Sequence, residues 1–267
     1  SIHLFDKLAP VVFSLVLQGK YAEAEPLHAR CQAIEEKVLG PEHPSLAITL
    51  NNRAELLRVQ GKFAEAQPLF ERALAINEDA LGVDHLRTIT SRTWMADLYK
   101  KRGFLDKAPP LLEEVVSAHE RVQGRDHPDV ASALNNRADA RSSCCPVAFQ
   151  GKYDLAGSLF DRAIAIGESA LGPEHPDLAV WLNNRAELLR AQGKYDEADS
   201  LYLRAIEIGE KTLGPDHPAL ATRLSNRAGL LLSQMKYVEV EPLFTLSLAI
   251  DEKVYGPDNR KVAADLN

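Results

Sequence analysis

Cysteine is scarce: Cys31, Cys144 and Cys145 are the whole complement of a 267-residue chain. Three thiols, two of them adjacent, make no disulfide framework, because neighbouring residues do not easily reach bridge geometry. A reducing, cytoplasmic setting is expected. Long apolar runs are missing as well. The longest, Leu8–Leu17, covers ten residues, about half the ~20 a membrane helix needs, and no basic flank or cleavage pattern precedes it. Positive charge is in deficit, with 31 Lys and Arg against 38 Asp and Glu, so no field draws nucleic-acid phosphates or anionic lipid. A G-x-x-x-x-G-K-[ST] phosphate loop, a nucleophile motif and a metal cluster are all absent. The expectation is a soluble protein that is not an enzyme, carries no cofactor and binds neither nucleic acid nor membrane. Because the chain opens on Ser1 and not Met, it is expected to be an excised piece of a longer one.

What is present is a repeat. Hydrophobic residues at 45% and charged residues at 26% are average for a globular protein, so the class must come from pattern. The string QGK stands at 18–20, 60–62, 150–152 and 192–194, with degenerate copies around Gly103 and Met235; the turn positions are separated by 42, 42, 48, 42 and 42 residues. A second marker, G-[PVR]-[DE]-H, ends at His43, His85, His127, His175 and His217, and a variant begins at Gly256. A period in this range is the mark of a stacked repeat protein.

Between the markers the apolar residues keep helical spacing. Leu46, Leu50, Ala54 and Leu57 form one stripe (helix A), repeated by Leu178, Leu182, Ala186 and Leu189. Phe63, Ala66, Phe70 and Ala73 form a second (helix B), matched by Tyr153, Ala156, Phe160 and Ala163 and by Tyr195, Ala198, Tyr202 and Ala205. The marker glycine suits a left-handed residue closing helix B, and the Pro after His43, His127, His175 or His217 suits the first position of the next helix. No strand alternation competes. The reading is an all-α solenoid of about six hairpins in a single domain, 1–267. Its repeats run 1–42, 43–84, 85–126, 127–174, 175–216 and 217–258, then a partial helix A over 259–267. Pro10 is expected to disturb the first helix A, and Pro26, Pro68, Pro110 and Pro242, about six residues into helix B, to kink it.

The small and aromatic positions Ala54, Ala66, Phe70 and Ala73 resemble the tetratricopeptide repeat. The G-P-[DE]-H-P opening of helix A, its Asn-Asn pair and the G-K-[FY]-x-E-A opening of helix B resemble the longer repeats of kinesin-light-chain and nephrocystin-like arrays. This implies a right-handed superhelical solenoid that binds a peptide or partner protein in a concave groove. It also allows a cargo adaptor of kinesin-light-chain kind, or the sensor region of a larger signalling NTPase whose nucleotide module lies outside these residues. In such arrays helix A lines the groove. That maps Asn51, Asn52, Glu55 and Arg58, then Trp94, Asp97 and Lys100, then Asn135, Asn136 and Asp139, then Asn183, Asn184, Glu187 and Arg190, and Asn226 onto it.

The groove amides invite two readings. Each offers donors and an acceptor to an extended peptide backbone, or they tie adjacent A helices together. The last three hairpins, centred on Asn183 and Asn184, should carry the best-formed ladder. Arg53, Arg137, Arg185 and Arg227 stand where kinesin light chains have an apolar residue. They are expected either to pair with acids on a neighbouring repeat or to meet ligand, in which case an acidic peptide would suit them. Trp94 divides evenly between packing and ligand contact, whereas Trp181 is expected to pack. The five marker histidines are helix-start residues and not metal ligands, since successive repeats lie about 10 Å apart. The six extra residues fall within 140–149, where Pro146 should stop helix A and Cys144 and Cys145 have no partners for redox or metal chemistry. The ends lack polar caps, so the array is expected to continue or to pair with another copy.

Overall fold

The computed structural model describes residues 14–15, 20–143, 150–256 and 262. Its Cα atoms cluster into two compact units, Ser1–Gly124 and Arg125–Asn267. Among the described residues there are eleven α-helices and no strand. The first unit holds α1 (Tyr21–Leu39), α2 (Pro44–Val59), α3 (Phe63–Leu81), α4 (Leu86–Lys101) and α5 (Ala108–Gln123). The second holds α6 (Pro128–Ser143), α7 (Gln150–Ala170), α8 (Pro176–Ala191), α9 (Tyr195–Leu213), α10 (Pro218–Ser233) and α11 (Tyr237–Tyr255). The A helices are α2, α4, α6, α8 and α10; the B helices are α1, α3, α5, α7, α9 and α11. Within each unit every helix packs on the next, and in the second unit α6 also touches α8 and α8 touches α10. No pair of B helices in that unit comes as close.

The markers act as paired stop and start signals. Gly40, Gly82, Gly124, Gly214 and Gly256 end their helices with φ between 82° and 94° and ψ between 155° and 167°. This differs from the expected left-handed helical cap: φ is positive, but ψ is extended, a region essentially restricted to glycine. Each of these N–H groups donates to the carbonyl four residues back, as Gly40 does to Glu36 at 3.2 Å. Three residues on, the histidine caps the next helix through its own ring. Nδ1 of His43, His85, His127, His175 and His217 accepts the N–H two residues ahead at 3.1–3.3 Å. Pro44, Pro176 and Pro218 follow in the first turn, where a missing N–H costs nothing.

The core forms where the two stripes meet. Ala54, Leu57, Ala66, Phe70, Met95 and Leu98 make one buried cluster, and Ala186, Leu189, Ala198, Tyr202 and Leu230 the equivalent cluster of the second unit. Fully buried alanines let helix axes approach, and a large side chain, aromatic at Phe70, Phe160 and Tyr202 and aliphatic at Leu112, fills the space between them. Tyr202 carries a hydroxyl where Phe70 and Phe160 do not, and that hydroxyl bonds Glu187. Burial, with the Glu187 carboxylate beside it, drives the phenol above its ordinary titration range.

Two hairpins depart from the expected register. In the third, helix B starts at Ala108 and not just after Gly103, because Pro109 and Pro110 have no N–H to offer and are tolerated only in a first turn. Pro110 is therefore a helix-start residue and not an interior kink. Helices α1, α3 and α11 do run unbroken through Pro26, Pro68 and Pro242. In the fourth hairpin the triplet 150–152, expected to turn, is the first turn of α7. Pro10, Cys144, Cys145, Pro146 and the expected stub at 259–267, apart from Val262, lie outside the described residues.

Candidate interaction face on the A helices

The amides of the A helices form a hydrogen-bonded ladder with a fixed rule. In the second unit the second amide of one hairpin donates to the first amide of the hairpin before it. Asn184 Nδ2 donates to Asn135 Oδ1 at 3.1 Å, and Asn226 Nδ2 donates to Asn183 Oδ1 at 3.1 Å. Asn135 Nδ2 in turn lies 3.4 Å from Asn136 Oδ1. Asn135 is buried at 5% exposure, while Asn136, Asn183, Asn184 and Asn226 are half-buried.

The first unit breaks the rule at Trp94, which stands where Asn184 and Asn226 stand in their hairpins. Asn51, 5% exposed, sends its Nδ2 to Ser91 Oγ at 2.9 Å, and Asn77 of α3 sends its own to the same oxygen at 3.0 Å. Ser91 Oγ spends its hydrogen on the carbonyl of Arg87 at 3.0 Å. Oδ1 of Asn51 and Oδ1 of Asn77 are thereby left buried without a donor. A buried acceptor with no donor is uncommon and costly.

Around these amides a pocket of about 180 Å³ opens between α2 and α4, lined by Ile48, Asn51, Asn52, Asn77, Leu86, Arg87, Thr90 and Trp94. Ile48 and Leu86 are exposed apolar residues on its walls, and Asn52 is exposed at its side. Trp94 is half-buried, its ring 6.2 Å from Phe70 and tilted by 51°. One side of Trp94 thus packs on the core while it also forms part of the pocket. Trp181 is 3% exposed and packs, as expected.

The arginines are already engaged. Arg53 meets Glu25 at 2.8 Å, Arg185 meets Asp161 at 2.9 Å and Arg227 meets Asp199 at 2.7 Å. Each pair joins an A helix to the B helix of the preceding hairpin, so the ion-ladder reading describes these three. Arg58 holds Glu55 through two nitrogens at 2.6 and 2.7 Å and reaches Asp97 at 3.1 Å, and Arg190 holds Glu187 at 2.8 Å. These carboxylates raise both guanidinium pKa values. The argument for an acidic partner loses its basis where the arginines carry carboxylates of their own. Lys100 is half-buried on the same face of α4.

Among the described residues no cluster of His, Cys, Asp and Glu could hold a metal ion. None of their helices is long and apolar enough to cross a membrane. Ser91, Asn77, Arg87 and Thr90 were not singled out from sequence. Superposing the periods would have found Ser91 and Asn77, since both are polar where the fifth hairpin and its neighbour carry Trp181 and Gly167.

Residues 11–79, 45–99, 148–208 and 177–253 match one family model and 88–129 a second, both described as tetratricopeptide repeat. The chain belongs to the tetratricopeptide repeat family, and its repeats are of the kinesin-light-chain type. The crystal structure of the nearly identical repeats of a putative kinesin light chain from Podosopora anserina is 25% identical. It covers 80% of this chain and 98% of its own, with a TM-score of 0.62. BtubC (BKLC) from P. vanneervenii is 19% identical over 91% of this chain and 93% of its own, with a TM-score of 0.65. The apo quorum sensor NprR from B. thuringiensis, at 12% identity, covers 97% of this chain and 67% of its own with a TM-score of 0.67. The last two share the fold alone. No curated protein matches the chain.

Proposed function

We propose that this chain is a protein-interaction scaffold that holds an extended segment of a partner protein against its A helices. The observation that carries this reading is the pocket between α2 and α4, where the apolar walls of Ile48 and Leu86, the half-buried Trp94 and the exposed Asn52 meet on one face. A few convergent polar groups in an otherwise apolar recess are what orient a ligand. The remaining amides support it differently. Asn136, Asn183, Asn184 and Asn226 are half-exposed and spend only part of their hydrogen-bonding capacity on one another, which leaves groups for a peptide backbone.

Photo-crosslinking in cell extract tests the face. A crosslinking residue at Asn52 is expected to capture partner protein, and one at Asp79, exposed on α3, is not; capture from Asp79 alone would overturn the reading. A cargo adaptor of kinesin-light-chain kind is the second reading. Its support is the likeness to the putative kinesin light chain repeats over 98% of their length.

A further inference from the structure

The turn of the last hairpin departs from the others. Met235 stands where the second and fifth hairpins have Gly61 and Gly193, and it holds a positive φ of 59°. Val238 stands where they have Ala64 and Asp196. Both side chains face solvent, Met235 at 74% exposure and Val238 at 91%, with Leu232 and Tyr237 exposed beside them. Large apolar residues gathered on a surface mark a contact site, and backbone strain persists where such a site needs it.

The same chain carries a recess of matching character. The pocket between α2 and α4 has apolar walls at Ile48, Leu86 and Trp94. Its volume of about 180 Å³ is below the roughly 300 Å³ at which pockets for drug-sized ligands begin, so it takes one side chain. Arg87 lines it and holds no carboxylate among the described residues, unlike Arg53, Arg58, Arg185, Arg190 and Arg227. Exposed Glu239 and Glu241 follow Val238 on α11 and outnumber Lys236, the one cation of that turn. We infer that the pocket receives the 232–238 turn of a second copy of this chain, with Met235 as the inserted side chain and the Glu239 and Glu241 carboxylates facing Arg87. This inference rests on the reading of the A-helix face as an interaction surface and names one occupant of it.

Methionine suits the role. It is unbranched, fills irregular recesses, and its thioether packs favourably at the edge of an indole such as that of Trp94. Pocket and turn are different surfaces and each copy offers both, so the contact is heterologous and association runs head to tail. One inserted side chain with a charged rim makes a small interface, which gives weak, concentration-dependent association in the micromolar range or above.

Sedimentation velocity and indole N–H resonances test this on the full chain, which has two tryptophans. Raising the concentration is expected to increase the average mass and to shift the Trp94 resonance, while Trp181, buried at its joint, stays in place. Met235→Gly removes the inserted side chain, and Thr90→Phe fills the mouth from an exposed position that lines the pocket. Each is expected to weaken association by at least roughly tenfold. Met235→Gly also relieves the turn, so at monomeric concentrations it is expected to melt no lower than the parent, which separates lost contact from lost fold. Mixing then reads the direction. Isotope-labelled Met235→Gly, which keeps its pocket, is expected to show the Trp94 shift when unlabelled Thr90→Phe, which keeps its turn, is added, although neither variant associates alone.

A mass that does not change with concentration overturns the inference, as does a mixture in which Trp94 does not move. So does association that survives Met235→Gly. Association that survives Thr90→Phe alone overturns it too, since the turns would then meet each other and not the pocket. A monomeric chain that still captures partner from Asn52 would sink this inference and leave the scaffold reading intact, so the two failures are distinguishable.

Discussion

Gly167 and Trp181 are complementary across the joint between the fourth and fifth hairpins: a Cβ added at Gly167 would lie 2.3 Å from Trp181 Cζ3. Exchanging glycine for alanine in a helix interior ordinarily stabilises by about 1 kcal/mol. Here the added methyl collides with a ring that is 3% exposed and has nowhere to go. Gly167→Ala is expected to destabilise the second unit by about 1–3 kcal/mol, and Gly167→Ala combined with Trp181→Leu to be less destabilised than the two single costs sum to. Denaturant titration of all three variants measures that coupling; additive costs would mean that the two residues do not share the space.

Met235 occupies the turn position held by Gly61 and Gly193 in other hairpins and adopts φ 59°. It is the one non-glycine residue at positive φ among the described residues, and its side chain is 74% exposed. A side chain in this conformation costs about 1–2 kcal/mol, with no packing here to offset it. Met235→Gly is therefore expected to raise the melting temperature, and an unchanged or lowered value would count against strain at this turn.

Glu35 is 6% exposed, and its Oε2 has no partner. Burial raises its pKa, against smaller opposing contributions from a Thr49 hydrogen bond and nearby His43. For a carboxyl whose folded pKa lies above its unfolded value, the protonated form is favoured by folding. The stabilisation is present below the unfolded pKa and is lost as pH rises through the folded one. Glu35→Gln is expected to stabilise the first unit at neutral pH and to lose that advantage below the unfolded carboxyl pKa of about 4.3. Melting curves at the two pH values decide it.

The histidine caps make a prediction that distinguishes residue type from side-chain bulk. At His175, Nδ1 accepts the Asp177 N–H at 3.3 Å. Alanine should cost about 1 kcal/mol at this position, whereas asparagine, which offers its own acceptor, should recover most of the loss. Equal stability of His175→Ala and His175→Asn would show that the ring holds the helix start by packing alone.

Most of the architecture was written in periodic signals. The QGK and G-[PVR]-[DE]-H strings located the helix ends because each marks a place where only glycine, proline or a capping side chain is tolerated. Register failed where a local rule outweighed the period, as Pro109 and Pro110 delayed α5, and at the glutamine–glycine–lysine triplet 150–152, which is helical in α7 where the period expects a turn. Of the interaction face, sequence placed the asparagines but not which side of each amide was spent. That depends on Ser91, a residue whose importance comes from two amides converging on it across 40 and 14 residues of chain. The substitution of Trp94 for an asparagine was visible in the sequence. The buried oxygen it leaves behind was not, because an unpaired atom belongs to a three-dimensional neighbourhood and to no single position.

The joints between hairpins carry a further consequence for how such a gene can change. A coding sequence with near-identical periods is prone to losing or gaining one whole unit by misaligned recombination, and a uniform array would tolerate the event. Here the facing residues differ from joint to joint: Asn77 meets Ser91, Gly167 meets Trp181, and Gly209 meets Arg223, whose nitrogen would sit 2.6 Å from an added Cβ. A recombinant that set Trp181 against Asn77 would put an indole where only a hydroxyl fits. The hairpins share one period and are individually keyed at these joints, so each accepts only a neighbour whose facing residue fits.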